Sequence, residues 1–287
     1  MLRAKNIWVT GGDPRQAALS RLLADDGHSV HTYALEQGEG VVCEPSMDGA
    51  ERADCVVLPL PALNPDGGLN TPLSPCPHPL DEVLDALRPG QLVCAGMIGE
   101  GLETRAAKRG LVLRDYFARE ELAVLNAIPT AEGAIQIAME ELPITLHDAR
   151  VLVIGFGRLG RALAPRLRGL GARVWVSARR YEQRAAAEAM GLESEGLERL
   201  SDWLCSYDLV FNTAPAAVLG VEELAALKEN ALVIDLASRP GGVDLEAAAA
   251  LGVRVIWALS LPGKVAPVTS GRYLKETIYH IMEELNL

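Results

Sequence analysis

Short runs of aliphatic and β-branched residues alternate with helical patterns along the whole chain. The apolar runs are residues 6–12, 28–34, 54–60, 91–96, 149–155, 172–178, 207–213, 231–237 and 253–259. Helical patterns lie between them, among them 16–26, 159–170, 180–191 and 245–251. Continuous apolar strands separated by helices are typical of parallel sheets that are covered on both faces. The sequence therefore predicts an α/β fold with two doubly wound, Rossmann-like parallel-sheet domains joined by a connecting helix.

Prolines interrupt this alternation near the middle of the chain. Pro129 and Pro143 flank a helical stretch for which Thr130 is the expected N-cap residue. The predicted units are an N-terminal α/β domain over 1–128, a connecting helix over 129–148 and a Rossmann domain over 149–269. The last helix, 270–287, is a candidate to return to the first domain and complete it.

The segment 151–160, VLVIGFGRLG, is a strand that leads into a G-x-G-x-x-G turn and then a helix. In this motif Gly155 permits the tight turn, Gly157 lets the backbone approach a pyrophosphate, and Gly160 lets the helix pack on the strand. A second strand follows at the expected distance, so we predict a dinucleotide site here. The alternative is a close-packed glycine turn without a ligand. The predicted cofactor-binding residues of the turn are Gly155, Gly157, Arg158, Leu159 and Gly160.

The end of the next strand indicates which dinucleotide is bound. NAD sites usually carry Asp or Glu there for the ribose 2′-hydroxyl, but this chain has Ser177, Arg179 and Arg180 and no acid. Two guanidinium groups and a hydroxyl suit a 2′-phosphate. We therefore predict NADP rather than NAD. The alternative is that the two arginines are a solvated helix start.

Three later strands end in polar or Gly/Pro-rich turns at the same predicted edge, where the nicotinamide would lie. The first turn contributes Asn212, Thr213, Ala214 and Pro215 to the predicted cofactor site. The other two turns place Arg239 and Lys264 at the cleft as predicted substrate-binding residues. The alternatives are a salt bridge from Arg239 to Asp235 or Asp244, and a plain surface role for Lys264.

The first half has its own glycine turn, residues 11–16, but it lacks the G-x-G-x-x-G spacing. A second dinucleotide is therefore not expected, whereas Arg15 beside a helix N-terminus is expected to hold a small carboxylate. A polar set near the predicted domain junction comprises Asp115, Arg119, Asn126, Thr130 and Glu132.

A proline-rich stretch, 59–79, follows the third strand of the first half. It is either a stiff surface connector or a loop that walls the ligand cleft, because ligands bind at the carboxyl edges of such sheets.

Charge and cysteine content exclude several classes of function. The 287-residue chain has a net charge of −11, which argues against nucleic-acid binding, since that needs a basic surface. Its five cysteines include no C-x-x-C pair, and His28 and His31 lack partners at ligand spacing, so we expect no metal.

No apolar run reaches the length of about 20 residues that a membrane span needs. The N-terminus lacks a signal-peptide pattern, so a reduced, cytoplasmic chain is expected.

Several motifs together resemble one family. The segments GGDPRQ, RxxLAVLNAIPTAEGAI, GFGRLGRALA, NTAP, DLASRPGGVD and LPGKVAPVTSG occur in the order and spacing of the A-type subunit of dipicolinate synthase from endospore-forming bacteria. The resemblance covers nearly the whole chain and is least clear over 40–80. It implies a role in forming pyridine-2,6-dicarboxylate from the dihydrodipicolinate branch of lysine synthesis. It also implies a flavoprotein-like partner, the B-type subunit of dipicolinate synthase, and the mother-cell cytoplasm of a sporulating bacterium.

The basic and polar residues of the chain are consistent with binding and oxidation of a dicarboxylate ring. A ring with two carboxylates needs at least two cationic or N–H clamps. The predicted substrate-binding residues are Arg15, Arg119, Asn126, Thr130, Arg239 and Lys264. If a hydroxylated precursor must lose water, an acid/base group is needed, and Glu132 is the first candidate and Asp115 the second. Each of these carboxylates is equally explained as a charge at a helix N-terminus.

Two alternatives stay open. The chain is either the NADP-dependent dehydrogenase component itself or an NADP-binding scaffold that regulates its partner. A different two-domain NADP-dependent hydroxy-acid or keto-acid dehydrogenase is the other enzyme hypothesis, although no clear catalytic histidine or Lys–Asp pair is found in the first domain. Whether the chain also forms a homo-oligomer is left open.

Overall fold

The structure, a computed structural model, describes residues 3–287 and divides into two compact units. One unit comprises the chain up to Asn126 together with Ala266–Leu287, and the other comprises Ala127–Val265. Each unit is built on one parallel β-sheet with helices between strands. The predicted α/β class with two parallel-sheet domains is therefore confirmed.

Five strands form the sheet of the first unit. They are β1 (Asn6–Thr10), β2 (Ser29–Tyr33), β3 (Cys55–Val57), β4 (Leu92–Ala95) and β5 (Val112–Asp115). The helices between them are α1 (Pro14–Asp25), α2 (Leu80–Asp85) and α3 (Glu100–Lys108). The strand order is β2-β1-β3-β4-β5 and every neighbouring pair is parallel. The order changes direction between β1 and β3, so this is the point where a doubly wound sheet opens a crevice.

Helix α4, Glu120–Glu141, is longer than the sequence predicts. The predicted start at Thr130 is wrong, because Pro129 lies inside the helix and Glu120 and Glu121 form its first turn. A proline inside a helix removes one intrahelical hydrogen bond. Because packing of the helix can compensate for that loss, a proline alone does not mark the start of a helix. Within residues 3–287, α4 alone is long and apolar enough to cross a membrane, judged by length and composition. Of its apolar 18-residue stretch, 44% is buried in the structure, and core helices of globular proteins pass the same test.

Six strands form the sheet of the second unit. They are β6 (Arg150–Ile154), β7 (Arg173–Ser177), β8 (Glu193–Glu195), β9 (Leu209–Asn212), β10 (Leu232–Asp235) and β11 (Arg254–Trp257). The helices are α5 (Arg158–Gly169), α6 (Tyr181–Ala189), α7 (Val221–Ala225), α8 (Leu245–Leu251) and α9 (Leu261–Val265). The order is β11-β10-β9-β6-β7-β8, with all pairs parallel. This is the strand arrangement of dinucleotide-binding domains, in which the order reverses beside the first strand.

The C-terminal helix α10, Pro267–Glu284, belongs to the first unit and packs along α1. Leu274 shares a buried core with Leu19 of α1. The two helices approach closely at Gly271, where a Cβ would lie 2.9 Å from the carbonyl oxygen of Arg15.

A hydrogen-bonded cluster also joins the end of α1 to α10. Tyr279 donates to the Asp26 carboxylate at 2.8 Å, and Lys275 Nζ lies 2.6 Å from the same carboxylate. His28 Nε2 lies 2.8 Å from the Tyr279 hydroxyl, and His28 Nδ1 accepts from the backbone N–H of Lys5 at 3.1 Å. Because Nδ1 accepts, the neutral imidazole carries its proton on Nε2. Burial of the ring lowers the pKa of His28.

We predict that the free energy of unfolding decreases as the pH falls through the histidine range. Since the pKa of His28 is lower in the folded than in the unfolded chain, the unfolded chain binds more protons between the two values. The contribution of neutral His28 is complete above the unfolded value of about 6.5 and is lost as the pH falls toward the folded value. Urea unfolding over a pH series measures this slope. His28→Gln should flatten it, and an unchanged slope in that variant would contradict the assignment.

Candidate functional site

The strand order of the second sheet reverses between β6 and β9. A crevice is expected there, outside the carboxyl ends of these two strands. The glycine turn 155–160 follows β6, and the segment 213–215 follows β9. The two meet, because the backbone N–H of Thr213 donates to the carbonyl oxygen of Ile154 at 2.8 Å. This is the position at which doubly wound sheets bind their ligands.

The three glycines of the turn have different surroundings. Gly155 has a φ of +89°, and a Cβ there would lie 2.6 Å from Thr213 Oγ1. A Cβ on Gly160 would come well inside 3.0 Å of the Gly155 carbonyl oxygen. Gly157 has a φ of −81°, and apart from its own chain neighbours no described residue has an atom within 4 Å of where its Cβ would be. Gly155 and Gly160 are thus required by the fold of the turn, whereas the space above Gly157 is open to a ligand.

Helix α5 begins beside that open space. Gly157 is its N-cap residue, no side chain of residues 3–287 caps it, and its first turn holds no acidic residue. The N-terminal N–H groups and the positive end of the helix dipole therefore suit an anion. Arg158 lies at the opening, whereas the side chain of Leu159 packs against the core of the second unit and does not line the cavity.

A cavity of about 740 Å³ opens on this turn. Its lining residues are Gly155, Gly157, Arg158, Ala178, Arg179, Arg180, Gln183, Leu197, Thr213, Ala214, Pro215, Ala216, Ala217 and Val218. The volume falls in the range of about 300–1,000 Å³ that is usual for small-molecule and cofactor sites. The described lining includes three arginines and no Asp or Glu, so its potential favours an anionic ligand.

Only part of the predicted set after β7 lies at the cavity. Arg179 and Arg180 line it and are exposed, and Arg180 lies 3.5 Å from the mostly exposed Glu182. The prediction for Ser177 is wrong. Its side chain is buried, and its hydroxyl donates to the Gly196 carbonyl oxygen at 3.1 Å, so it is not available to a ligand.

Buried Asn212 shapes the edge without lining the cavity. Its Nδ2 donates to Asp235 Oδ1 at 2.8 Å, and its Oδ1 accepts from the backbone N–H of Ala214 at 3.1 Å. Asp235 also accepts from the backbone N–H groups of Ala237 and Gly242, at 3.0 and 2.8 Å. This network holds the loops after β9 and β10 in place.

The segments that follow β10 and β11 carry two exposed cations, Arg239 and Lys264. The guanidinium carbon of Arg239 lies 5.8 Å from the ring centroid of Trp257. The two acids considered as its partners are engaged elsewhere, Asp235 as above and Asp244 with the first backbone N–H groups of α8. Lys264 lies in α9, is exposed, and forms no ion pair within the described part of the chain.

Arg15 does not hold a ligand carboxylate. Its side chain is 8% exposed, and its Nη2 lies 2.7 Å both from Asp13 Oδ2 and from the carbonyl oxygen of Leu60. The predicted role is wrong because a carboxylate two residues away already neutralises the guanidinium.

The predictions for Arg119 and Asp115 are also wrong. Arg119 pairs with Glu284 at 2.6 Å and with Glu121 at 2.8 Å, and these carboxylates raise its pKa further above the ordinary value. Asp115 accepts from the backbone N–H of Phe117 at 2.7 Å and so stabilises the turn after β5. Both side chains support the first unit instead of a ligand.

The remaining predicted residues lie along α4. Glu132, the first candidate for the acid/base group, is 58% exposed and lies 3.4 Å from Arg166 Nε. It lines an open apolar groove between α4 and α5 and does not line the cavity at the glycine turn. Asn126 and Thr130 are half-buried inside the helix.

Sequence reasoning missed other parts of the cavity. Gln183, Leu197 and 216–218 also line it. The Asn212–Asp235 pair was detectable in principle, because the two residues occupy the same register position on neighbouring strands.

The sheet order, the glycine turn and the basic cavity define a pyridine-nucleotide-binding domain of the dehydrogenase type. The sequence agrees: residues 128–253 match the family described as D-isomer specific 2-hydroxyacid dehydrogenase, NAD binding domain. Residues 6–117 match the N-terminal domain family of the dipicolinate synthase A-type subunit.

Full-length relatives identify the family. The A-type subunit of dipicolinate synthase from Bacillus subtilis is 31% identical over 99% of this chain and 98% of its own length. The crystal structure of the same subunit from Bacillus halodurans has a TM-score of 0.90, covering 98% of this chain and 99% of that one. The chain belongs to this family of dipicolinate synthase subunits. A glyoxylate/hydroxypyruvate reductase B of Enterobacter agglomerans is 29% identical over 50% of this chain and 45% of its own length.

We predict that Gly157→Val leaves the fold intact and abolishes binding of the pyridine nucleotide. The added side chain enters open space and needs no unusual φ, yet it fills the volume above the helix N-terminus. Thermal melting and calorimetric titration with NADP⁺ separate the two effects. Gly160→Ala is the matched control and should lower the melting temperature, because its Cβ would collide with the Gly155 carbonyl oxygen. Retained nucleotide binding by Gly157→Val would contradict the assignment.

Proposed function

We propose that this chain is the NADP-dependent dehydrogenase component of dipicolinate synthase and forms pyridine-2,6-dicarboxylate during sporulation. The observation that carries the proposal is the cavity of about 740 Å³ at the glycine turn, whose described lining has three arginines and no carboxylate. Family membership supports the choice of substrate, which is dihydrodipicolinate or its hydroxylated tetrahydro precursor.

The preference for NADP over NAD rests on Arg179 and Arg180. Both line the cavity directly after β7, where an NAD site would carry an acid for the ribose 2′-hydroxyl. A guanidinium pairs with a phosphate through two parallel N–H donors. The contact of Arg180 with Glu182 is exposed and therefore weak, so a phosphate can replace it.

The reaction needs a hydride acceptor and little covalent chemistry from the protein. NADP⁺ would supply the acceptor for the hydride from a ring carbon of the dihydropyridine, and the proton lost as the ring becomes aromatic would pass to solvent. The chain then binds and orients the substrate. The dihydro form loses no water and therefore needs no acid/base group, which makes it the preferred substrate.

Arg239 and Lys264 are the proposed clamps for the two carboxylates. Arg239 lies on the loop after β10 and Lys264 lies in α9, which follows β11, and both are exposed. Arg15 and Arg119 are excluded because carboxylates of the first unit neutralise them. The positive charge of both groups and the bidentate N–H geometry of Arg239 fit a dicarboxylate ring.

The partner and the location follow the family resemblance. We expect a flavoprotein-like second subunit, action in the mother-cell cytoplasm, and no nucleic-acid or membrane partner. The purified chain, alone and with that partner, should produce NADPH from substrate and NADP⁺ at the rate of pyridine dicarboxylate formation. Product without NADPH would favour the second candidate, an NADP-binding scaffold whose partner carries the electrons. NADPH formed only from other hydroxy acids would indicate a different dehydrogenase.

We predict that Arg179→Ala combined with Arg180→Ala weakens NADP⁺ binding at least tenfold and changes NAD⁺ binding little. A charge-assisted hydrogen bond contributes about 1.5–3 kcal/mol, and about 1.4 kcal/mol is a factor of ten. Calorimetric titration with both nucleotides measures the ratio. Arg173→Ala is the matched control, since Arg173 is exposed at the start of β7 and pairs with Asp148. Equal losses for NADP⁺ and NAD⁺, or tighter NAD⁺ binding by the unaltered chain, would refute the preference.

We predict that Arg239→Ala raises the KM for the dicarboxylate and lowers turnover while leaving NADP⁺ affinity near normal. The guanidinium lies outside the cavity lining, so its removal affects substrate and not nucleotide. Steady-state kinetics and calorimetry test this. Joint loss of nucleotide binding would place Arg239 at the cofactor or in the fold.

A further inference from the structure

The proline-rich stretch after β3 contains a chain of four hydrogen-bonded side chains that the proposed function does not use. Ser74 Oγ lies 3.0 Å from His78 Nε2, and His78 Nδ1 lies 3.0 Å from the Tyr33 hydroxyl. Tyr33 in turn donates to Glu82 Oε1 at 2.7 Å. A serine, a histidine, a tyrosine and a carboxylate therefore form one continuous line.

The chemistry of the groups fixes the direction of every hydrogen bond. An ionised carboxylate only accepts, so the Tyr33 proton points to Glu82 and the Tyr33 oxygen accepts from His78 Nδ1–H. His78 Nε2 is then unprotonated and accepts the Ser74 hydroxyl proton. Burial and the neighbouring Glu82 raise the pKa of Tyr33, which keeps its proton in place.

The surrounding loop holds these groups in a fixed arrangement. The backbone N–H of Ser74 donates to Thr71, and that of Leu69 donates to His78, each at 3.0 Å. The His78 ring also packs edge-on against Tyr33, with centroids 5.0 Å apart. The fixed φ angles of the prolines restrict the loop further. The prolines are Pro72, Pro75, Pro77 and Pro79.

We propose that Ser74 is a nucleophile, with His78 as its general base, that takes an acyl group from small activated esters. Ser74 Oγ attacks the ester carbonyl carbon while His78 Nε2 accepts the hydroxyl proton. The ester C–O bond then breaks, and the proton passes from His78 to the leaving alcohol or phenol. No oxidant or reductant is needed. The arrangement is that of a base-activated serine oriented by a third group.

Two further observations fit this chemistry. Ser74 and His78 are half-buried, so the hydroxyl is reachable while the histidine stays oriented. The backbone N–H of Cys76 also lies 3.4 Å from Ser74 Oγ, and this weak contact helps to position that oxygen.

The first unit provides its own comparison. Ser29 Oγ lies 3.4 Å from His31 Nε2, and His31 Nδ1 lies 2.9 Å from Glu44. The order of groups is similar, but the Ser–His contact is longer and Ser29 is exposed. A hydrogen bond at 3.4 Å is weak. Ser29 therefore tests whether proximity to a histidine alone makes a serine reactive toward esters.

The test uses p-nitrophenyl acetate on the full chain carrying Cys76→Ala and Cys205→Ala, which remove the two exposed thiols that would also react. We expect a burst of p-nitrophenolate and an acetyl group on the peptide that contains Ser74, with Ser29 unlabelled. Ser74→Ala should abolish the burst. His78→Gln should slow labelling about 10²-fold, since general-base catalysis typically contributes about 10²–10⁴-fold.

Thermal melting of each variant shows that it is folded. Tyr33→Phe adds an independent arm, because it removes the acceptor that orients His78 while leaving Ser74 and His78 present. It should slow labelling without abolishing it. The proposal is overturned if Ser74 carries no acetyl group, if Ser29 is labelled as fast as Ser74, or if folded His78→Gln reacts at the unaltered rate.

Discussion

The close approach of helix α5 to strand β6 is the constraint on which the nucleotide site depends. The helix can start this near the strand only because Gly160 lacks a Cβ that would collide with the Gly155 carbonyl oxygen. Gly155 turns the chain with a φ of +89°, which other residues rarely adopt. The result is an uncapped helix N-terminus at the point where the sheet order reverses. Sheet topology and local backbone geometry therefore produce the same anion site.

Electrostatics separates the two kinds of arginine in this acidic chain. Arg15 and Arg119 are held by carboxylates and tie segments of the first unit together. Arg179 is exposed at the cavity of the second unit. An overall charge of −11 is thus compatible with an anionic cofactor, because the positive potential is local. The buried Asn212–Asp235 pair has a structural role at this site. The Asp235 carboxylate accepts hydrogen bonds from Asn212 and from two backbone N–H groups, and these bonds shape the loops after β9 and β10.

The buried strands and the glycine turn were predictable from the sequence, whereas two of the four edge strands and the partners of several side chains were not. Central strands such as β6 are continuous apolar runs, but the edge strands β5 and β8, with sequences VLRD and ESE, carry too little apolar signal. The start of α4 was obscured by Pro129. The partner of Arg119 is 165 residues away, so only tertiary packing reveals that its charge is used. Ser177 was assigned by position, and its burial beside β8 is likewise a tertiary property.

The most direct test of the account is amide hydrogen exchange across the chain with and without NADP⁺. The account predicts slower exchange at residues 157–161, where α5 begins, and at Thr213 and Ala214, which follow β9. Exchange elsewhere in the second unit should change less. Binding of NADP⁺ without protection at the start of α5 would contradict the claim that this helix terminus holds the nucleotide.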